Sequence, residues 1–191
     1  MLYLASASPR RLALLRQLGL QPQVVVADID ESPRPAEHPA GYVERLAREK
    51  AAAVVAALAP TSSCWLLAAD TTVMAGGQIL GKPQSLEDAR RIWALLPEPD
   101  HQVLTGIALW HDGVITSQVV ATQVDFAPIP PHEQLAYWAT GEPADKAGAY
   151  AIQGRAAQYV RAIHGSYSNV VGLPLAETAA LLRASGFPLW E

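Results

Sequence analysis

The chain predicts an α/β domain, and three features carry that expectation. Residues 65–69, Trp-Leu-Leu-Ala-Ala, are a short uninterrupted apolar run, long enough for a buried strand and too short for a helix. Residues 2–5 read as a second strand, and Leu12, Leu15 and Leu18 follow it at helical spacing. Beyond them, strand-like runs and amphipathic stretches alternate along the chain.

The apolar run 65–69 ends in Asp70, followed by Thr71, Thr72 and Val73. Chemistry collects where the strands of an open α/β sheet end. A carboxylate there, flanked by hydroxyls, can hold a divalent cation or take a proton from an attacking water. The plainer alternative is an aspartate that turns the chain after the strand.

A length of 191 residues suits one domain over 1–191, and with half its residues hydrophobic it has ample material for a core. Lys and Arg number 14 against 18 Asp and Glu, a net charge of −4. Nothing in that balance draws the chain to nucleic acid or an anionic membrane, so any anion site is a local concentration of positive charge. Cys64 is the single cysteine, which excludes an intrachain disulfide and a thiolate zinc cluster; it reads as a small apolar residue. The start, MLYLASASPRR, is not a signal peptide, since its apolar segment is short and its arginines follow it. No apolar run approaches a membrane span. A soluble, cytoplasmic protein is expected.

In chain order, Ser8 is a good N-cap and Pro9 a good first residue for the helix that Gly19 closes. Arg10 and Arg11 fall in its first turn, unfavourable towards the helix dipole unless something negative sits there. A bound phosphate explains the placement; so does an ordinary helix start with two solvated arginines. Residues 23–27 read as a strand. Asp28, Asp30 and Glu31 follow, either a solvated turn or a contribution to a metal site, and then a loop with Pro33, Pro35 and Pro39.

Residues 41–58 are helical, with Val43, Leu46, Ala47, Val54 and Leu58 on one face. Lys50 falls on that apolar face, where it either snorkels to the edge or reaches into a cleft. Gly76 to Lys82 matches GxxxxGK, but Pro83 stands where a P-loop needs Ser or Thr and no helix follows at once. The segment is therefore a hairpin between Val73 and Ile79. Lys82 remains as a positive charge close in sequence to Asp70.

Ser85 starts a helix with Ala89, Ile92, Trp93 and Leu96 inward. Residues 102–110 and 114–126 are strands around a His111-Asp112-Gly113 turn. Residues 131–139 form a helix with Leu135 and Trp138 inward, and 174–184 the last helix, closed by Gly186. The segments 141–154 and 165–174 are rich in glycine, which permits close backbone approach to a ligand, and in side chains able to bond a base, sugar or phosphate. Gln153 offers donors and an acceptor, as reading a base edge requires. By themselves these segments serve equally as turns between strands. No HxxxH, GxSxG or GxGxxG pattern is present.

SASPRR at 6–11, RLAREKA at 45–51, AADTTV at 68–73, GKP at 81–83, DKAGAYAIQG at 145–154 and GSYSNVVGLPL at 165–175 together resemble the Maf (septum-formation) family. These are nucleoside triphosphate pyrophosphatases related in fold to the inosine triphosphate pyrophosphatases. The resemblance implies a mixed, strongly curved sheet flanked by helices, with two lobes and a central cleft. It implies cleavage between the α and β phosphates with a divalent cation (Mg2+, Mn2+ or Co2+), and a homodimer. It links the activity to nucleotide-pool sanitation or cell-division arrest. Three alternatives stand beside it: a pyrophosphatase for modified or methylated nucleotides, a phosphohydrolase releasing orthophosphate, which the near-match to GxxxxGK suggests, and a nucleotide-sensing division regulator with incidental turnover.

By the same resemblance Asp70 is the catalytic proton acceptor. Arg10, Thr71 and Gln153 match the positions that mark the subgroup cleaving dTTP and UTP; the subgroup acting on methylated purine nucleotides has tryptophan at the Arg10 position. Ser8, Arg11, Lys50, Lys82 and Lys146 line the phosphate side of the site, and Asp70 with Glu31 holds the metal. The expected partner is a nucleoside triphosphate, without nucleic acid or membrane.

Overall fold

The computed structural model describes residues 1–59 and 63–190. In chain order the elements are β1 (Leu2–Ala5), α1 (Pro9–Gln17), β2 (Gln23–Val24), α2 (Pro39–Leu58), β3 (Trp65–Ala75), β4 (Gln78–Leu80) and α3 (Leu86–Leu95). They continue with β5 (Gln102–His111), β6 (Val114–Phe126), α4 (Pro131–Ala139), β7 (Val160–His164), α5 (Tyr167–Val171) and α6 (Leu175–Ala184). One seven-stranded sheet runs β2-β1-β3-β5-β6-β7, with β4 paired to β3. It is mixed and open: β1 is parallel to β2 and β3, whereas β3–β4 and β6–β7 are antiparallel. Flanked by helices, this is the expected mixed α/β class.

The chain forms two compact units. The first comprises Met1–Asp70, Thr105–Val120 and Gly172–Glu191, the second Thr71–Leu104 and Ala121–Val171. Strands β3, β5 and β6 each contribute residues to both.

In the first unit α2 lays Ala47, Ala51 and Val54 against Leu66 and Ala68 of β3 and Ala108 of β5. The helix rides close to the sheet, because a Cβ at Gly106 of β5 would stand 2.3 Å from the Val43 carbonyl oxygen. Only glycine leaves that space. Cys64 is buried in the same cluster, as a small apolar residue would be.

The core of the second unit gathers Trp93 of α3, Tyr137 of α4, Phe126 of β6, and Tyr150 and Tyr159 from the segments that follow. His101 is fully buried beside them. Its Nδ1 lies 2.9 Å from the Leu96 carbonyl, which can only accept, so that nitrogen carries the proton. Its Nε2 then accepts from the Tyr150 hydroxyl at 3.2 Å.

Several expectations need correction. Strand β3 does not stop before Asp70 but runs on through Ala75. The β-branched Thr71, Thr72 and Val73 suit a strand, and β4 folds back onto Val73, Met74 and Ala75 to pair with them. Strand β2 is two residues long rather than five, since it pairs with β1 alone at the sheet edge and β1 ends at Ala5. Helix α2 begins at Pro39 behind an N-cap at His38, and Leu58 at its last position is exposed. In α4, Leu135 is exposed and Tyr137 takes the buried place beside the partly buried Trp138. Strand β7 and helix α5 are not predicted by the local sequence pattern.

Burial pushes the His101 imidazole down to about 4, against the pull of its bond to Leu96. The unfolded chain therefore binds the extra proton first as pH falls. Stability present above the ordinary histidine range is lost progressively from about pH 6.5 to about pH 4, by on the order of 3 kcal/mol. Denaturant unfolding of wild type at pH 7 and pH 4.5 should show the loss, and His101→Gln should lose less between the same two pH values. An equal loss in both proteins would remove His101 as the cause.

Candidate active site

Two periodicities bring the first charged cluster together. On β3, Leu66, Ala68 and Asp70 share one face, the face against α2. On α2, Val43, Leu46, Ala47, Lys50, Ala51 and Val54 form the buried stripe. Lys50 thus meets Asp70 as Ala47 and Ala51 meet their apolar partners. Both are 8% exposed, and Lys50 Nζ donates to Asp70 Oδ1 at 2.6 Å. The same ammonium lies 2.6 Å from Glu31 Oε1. Lys50 therefore reaches into the site rather than snorkelling to the surface.

Burial raises the Asp70 carboxyl above the ordinary carboxylate range, with Lys50 and then Arg11 pulling against it. Asp70 lies just beyond Ala68, the last β3 residue paired with β1, so the carboxylate emerges where the parallel neighbour has ended. Thr71, the next residue, points to the opposite face of the strand.

Glu31 sits on the proline-rich loop, which α2 holds in place. Tyr42 donates from its hydroxyl to the Glu31 carbonyl at 2.9 Å. Arg45 makes a bidentate pair with Glu37, at 2.6 and 2.7 Å, and a further bond to the Ser32 carbonyl. Burial, helped by the charges of Asp70 and Glu31, pushes the Tyr42 phenol up to about 12, so it remains a donor. Local pattern marks neither Tyr42 nor Arg45 as a site residue; their only signal is that both stand on the turns of α2 ahead of Lys50.

Ser8 caps α1 by accepting from the Arg11 amide. The Arg11 guanidinium turns inward: Nε donates to the Gly172 carbonyl at 2.9 Å, and a terminal nitrogen to the Ala69 carbonyl at 2.8 Å and Ser6 Oγ at 3.1 Å. Arg11 is thereby tied to the backbone just before Asp70. Arg10, beside it, is partly exposed.

In the second unit, Gly76 and Gly77 form the hairpin turn between β3 and β4, and both their amides donate to the Asp100 carboxylate at 2.8 Å. A phosphate-binding loop would need such amides for its ligand, so the P-loop is excluded here on structure as well. Lys82 is exposed at the end of this hairpin. The loop carrying Lys146 is bound to it, since the Gly148 amide donates to the Gly81 carbonyl at 3.2 Å. Lys146 Nζ donates to the Glu142 carbonyl at 2.9 Å and to the Asp145 carboxylate. Gln153 is exposed in the turn that ends where the Gly154 amide donates to the Ala151 carbonyl.

The donor set suits a hard divalent cation. Asp70 and Glu31 present two carboxylates to one point, now taken by the Lys50 ammonium. Among the described residues no group of three or more His, Cys, Asp or Glu side chains gathers. One or two carboxylates, completed by water and substrate phosphates, is how Mg2+ is commonly held.

The model of the family described as Maf-like protein matches residues 1–185, and the chain belongs to that family. It is 54% identical, over its whole length and 97% of the relative's, to a protein of Anaeromyxobacter dehalogenans (strain 2CP-C) named dTTP/UTP pyrophosphatase. Proteins of the same name from Hahella chejuensis (strain KCTC 2396) and Colwellia psychrerythraea (strain 34H / ATCC BAA-681) are 48% and 50% identical. Those matches cover 100% and 97% of this chain and 94% and 89% of the relatives. Among the described residues no helix is long and apolar enough to cross a membrane.

Lys50→Met leaves the buried Asp70 without its ammonium partner and should cost about 3 kcal/mol of unfolding free energy at pH 7. The deficit should shrink towards pH 5. Without Lys50 the folded carboxyl takes up its proton at a higher pH than the unfolded one, so stability rises as pH falls. A deficit that is the same at pH 7 and pH 5, measured by denaturant unfolding, would sink this account of the pair.

Proposed function

We propose that this protein hydrolyses dTTP and UTP to the nucleoside monophosphate and pyrophosphate. The observation that carries the reading is the buried Asp70 carboxylate, raised towards proton-accepting strength and fixed by Lys50, in a chain about half identical to enzymes of that name.

In this reading Asp70 accepts a proton from the water that attacks the α-phosphorus. The bond from that phosphorus to the α,β-bridging oxygen breaks, and pyrophosphate leaves. A raised carboxyl is the better base near neutral pH, provided it is ionised there, and the Lys50 ammonium favours that form. The start of α1 with Ser8, Arg10 and Arg11, together with Lys50, Lys82 and Lys146, supplies positive charge to the triphosphate. A divalent cation, Mg2+, Mn2+ or Co2+, would be held by Asp70 and Glu31 and would neutralise phosphate charge. The proposal includes one catalytic domain over residues 1–191, a cytoplasmic setting and a homodimer.

Base choice is assigned to Gln153, with Arg10 and Thr71. The Gln153 amide offers an acceptor and a donor that match the N3–H and O4 edge shared by uracil and thymine. Cytosine presents a bare nitrogen and an amino donor at those places, so the amide would have to turn over. Arginine at position 10 gives a large purine no aromatic surface to stack on.

Asp70→Asn keeps the shape and removes the charge, so turnover of UTP should fall at least ~10²-fold. Near-normal turnover in folded Asp70→Asn would take Asp70 out of the chemical step.

Purified protein with each common nucleoside triphosphate and Mg2+, Mn2+ or Co2+ should release pyrophosphate rather than orthophosphate. UTP and dTTP should be cleaved at similar rates, with CTP and the purine triphosphates poorer by at least ~10-fold in kcat/KM, about 1.4 kcal/mol. Gln153→Glu should lose the UTP and dTTP activity, because an ionised carboxylate cannot donate. Orthophosphate release or a preference for purine nucleotides would overturn the assignment.

A further inference from the structure

The turn that presents Gln153 is anchored on both sides to one pair of side chains. Ahead of it, the Ala151 amide donates to the Tyr137 hydroxyl at 3.4 Å. Behind it, the Arg155 amide donates to Glu142 Oε2 at 3.0 Å and the Ala156 amide approaches Glu142 Oε1 at 3.5 Å. Tyr137 and Glu142 are themselves joined, the phenol donating to Oε1 at 2.7 Å. The Glu142 carboxylate also lies flat against Gly154: a Cβ there would stand 2.3 Å from its carboxyl carbon. The Glu142 backbone carbonyl, in turn, receives the Lys146 ammonium. One residue thus holds the neighbours of the base-reading amide and one of the cations assigned to the triphosphate.

We propose that Glu142 is a positioning residue for base selection, its carboxylate fixing the 151–156 turn so that Gln153 meets the pyrimidine edge in one register. The proposal rests on the assignment of base choice to Gln153. A carboxylate is required because two oxygens must accept from the Tyr137 hydroxyl and the Arg155 and Ala156 amides together. A glutamine at 142 has one accepting oxygen, and its amino group would face a donor. Burial and the bond to Glu142 push the Tyr137 phenol up, so it donates throughout the working pH range. If Glu142 merely capped the short helical turn at Arg155–Tyr159, its loss would lower stability and leave the preference among bases untouched.

The test compares Glu142→Gln, Gly154→Ala and Gln153→Ala with wild type, measuring kcat and KM for UTP and CTP. In Glu142→Gln the UTP-to-CTP ratio of kcat/KM should fall by ~3- to 10-fold, with the loss borne mainly by KM for UTP rather than by kcat. Gly154→Ala displaces the same carboxylate from the other side and should give the same pattern; it carries the test if Glu142→Gln does not fold. A ratio that falls in Gln153→Ala but stays at the wild-type value in Glu142→Gln and Gly154→Ala overturns the role of Glu142 and leaves the base assignment standing. A ratio unchanged in Gln153→Ala overturns the base assignment, and this proposal with it.

Discussion

Lys50 is a charge carried inside on the apolar stripe of a helix, and the first unit is built so that it is tolerable there. An unpaired buried ammonium would be strongly destabilising. Asp70 answers it from β3 and Glu31 from the proline-rich loop, each at 2.6 Å. This contact constrains what surrounds it. Strand β3 has to continue past the end of β1 to carry Asp70, and α2 has to pass close to β5, which Gly106 permits. Tyr42 and Arg45 have to hold the loop so that Glu31 arrives. The apolar neighbours Ala47, Ala51 and Ala68 are small, which lets helix and strand approach.

Carboxylates in this protein divide by what they accept. Asp100 takes the amides of Gly76 and Gly77, and those bonds hold its carboxyl below the ordinary range, ionised and occupied. Asp88 is lowered likewise, by the Gln84 amide and Arg91. Such groups anchor backbone. Asp70 is raised instead, because burial outweighs its ionic partners. Among the described residues Asp70 gains no backbone donor and is pushed upward, and in the proposed function this is what separates it from its acidic neighbours as the proton acceptor.

Much of this could be read ahead of the structure. The Ser8 cap, the Ser85 cap, both hairpins and the inward faces of α2 and α3 followed from local rules, and local hydrogen bonding realises them. The buried run before Asp70 and the presence of Lys50 on an apolar face were equally visible. Strand β7 was not legible, since its five residues are held by pairing with β6 far earlier in the chain. Tyr137 rather than Leu135 turns inward for a different reason: its hydroxyl finds Glu142 five residues on, a polar partner that apolar periodicity does not weigh. Glu142 stands in the glycine-rich segment 141–154 but outside the six motifs, and local pattern gives it no role, because its carboxylate acts on amides more than ten residues away.

By itself, then, the sequence determined the order and type of most elements, the alternation that turns Asp70 towards one face of β3, and the family, through six short motifs in register. Each depends on neighbours within a few residues or on identity read directly. The tertiary structure alone decided that Lys50, Asp70 and Glu31 share one point, that Arg11 spends its guanidinium on the Ala69 and Gly172 carbonyls, and that Glu142 braces the Gln153 turn. These are contacts between groups separated by 13 to 161 residues along the chain. Local propensity carries no information about such distances; the packing of α2 on the sheet and the course of each loop set them.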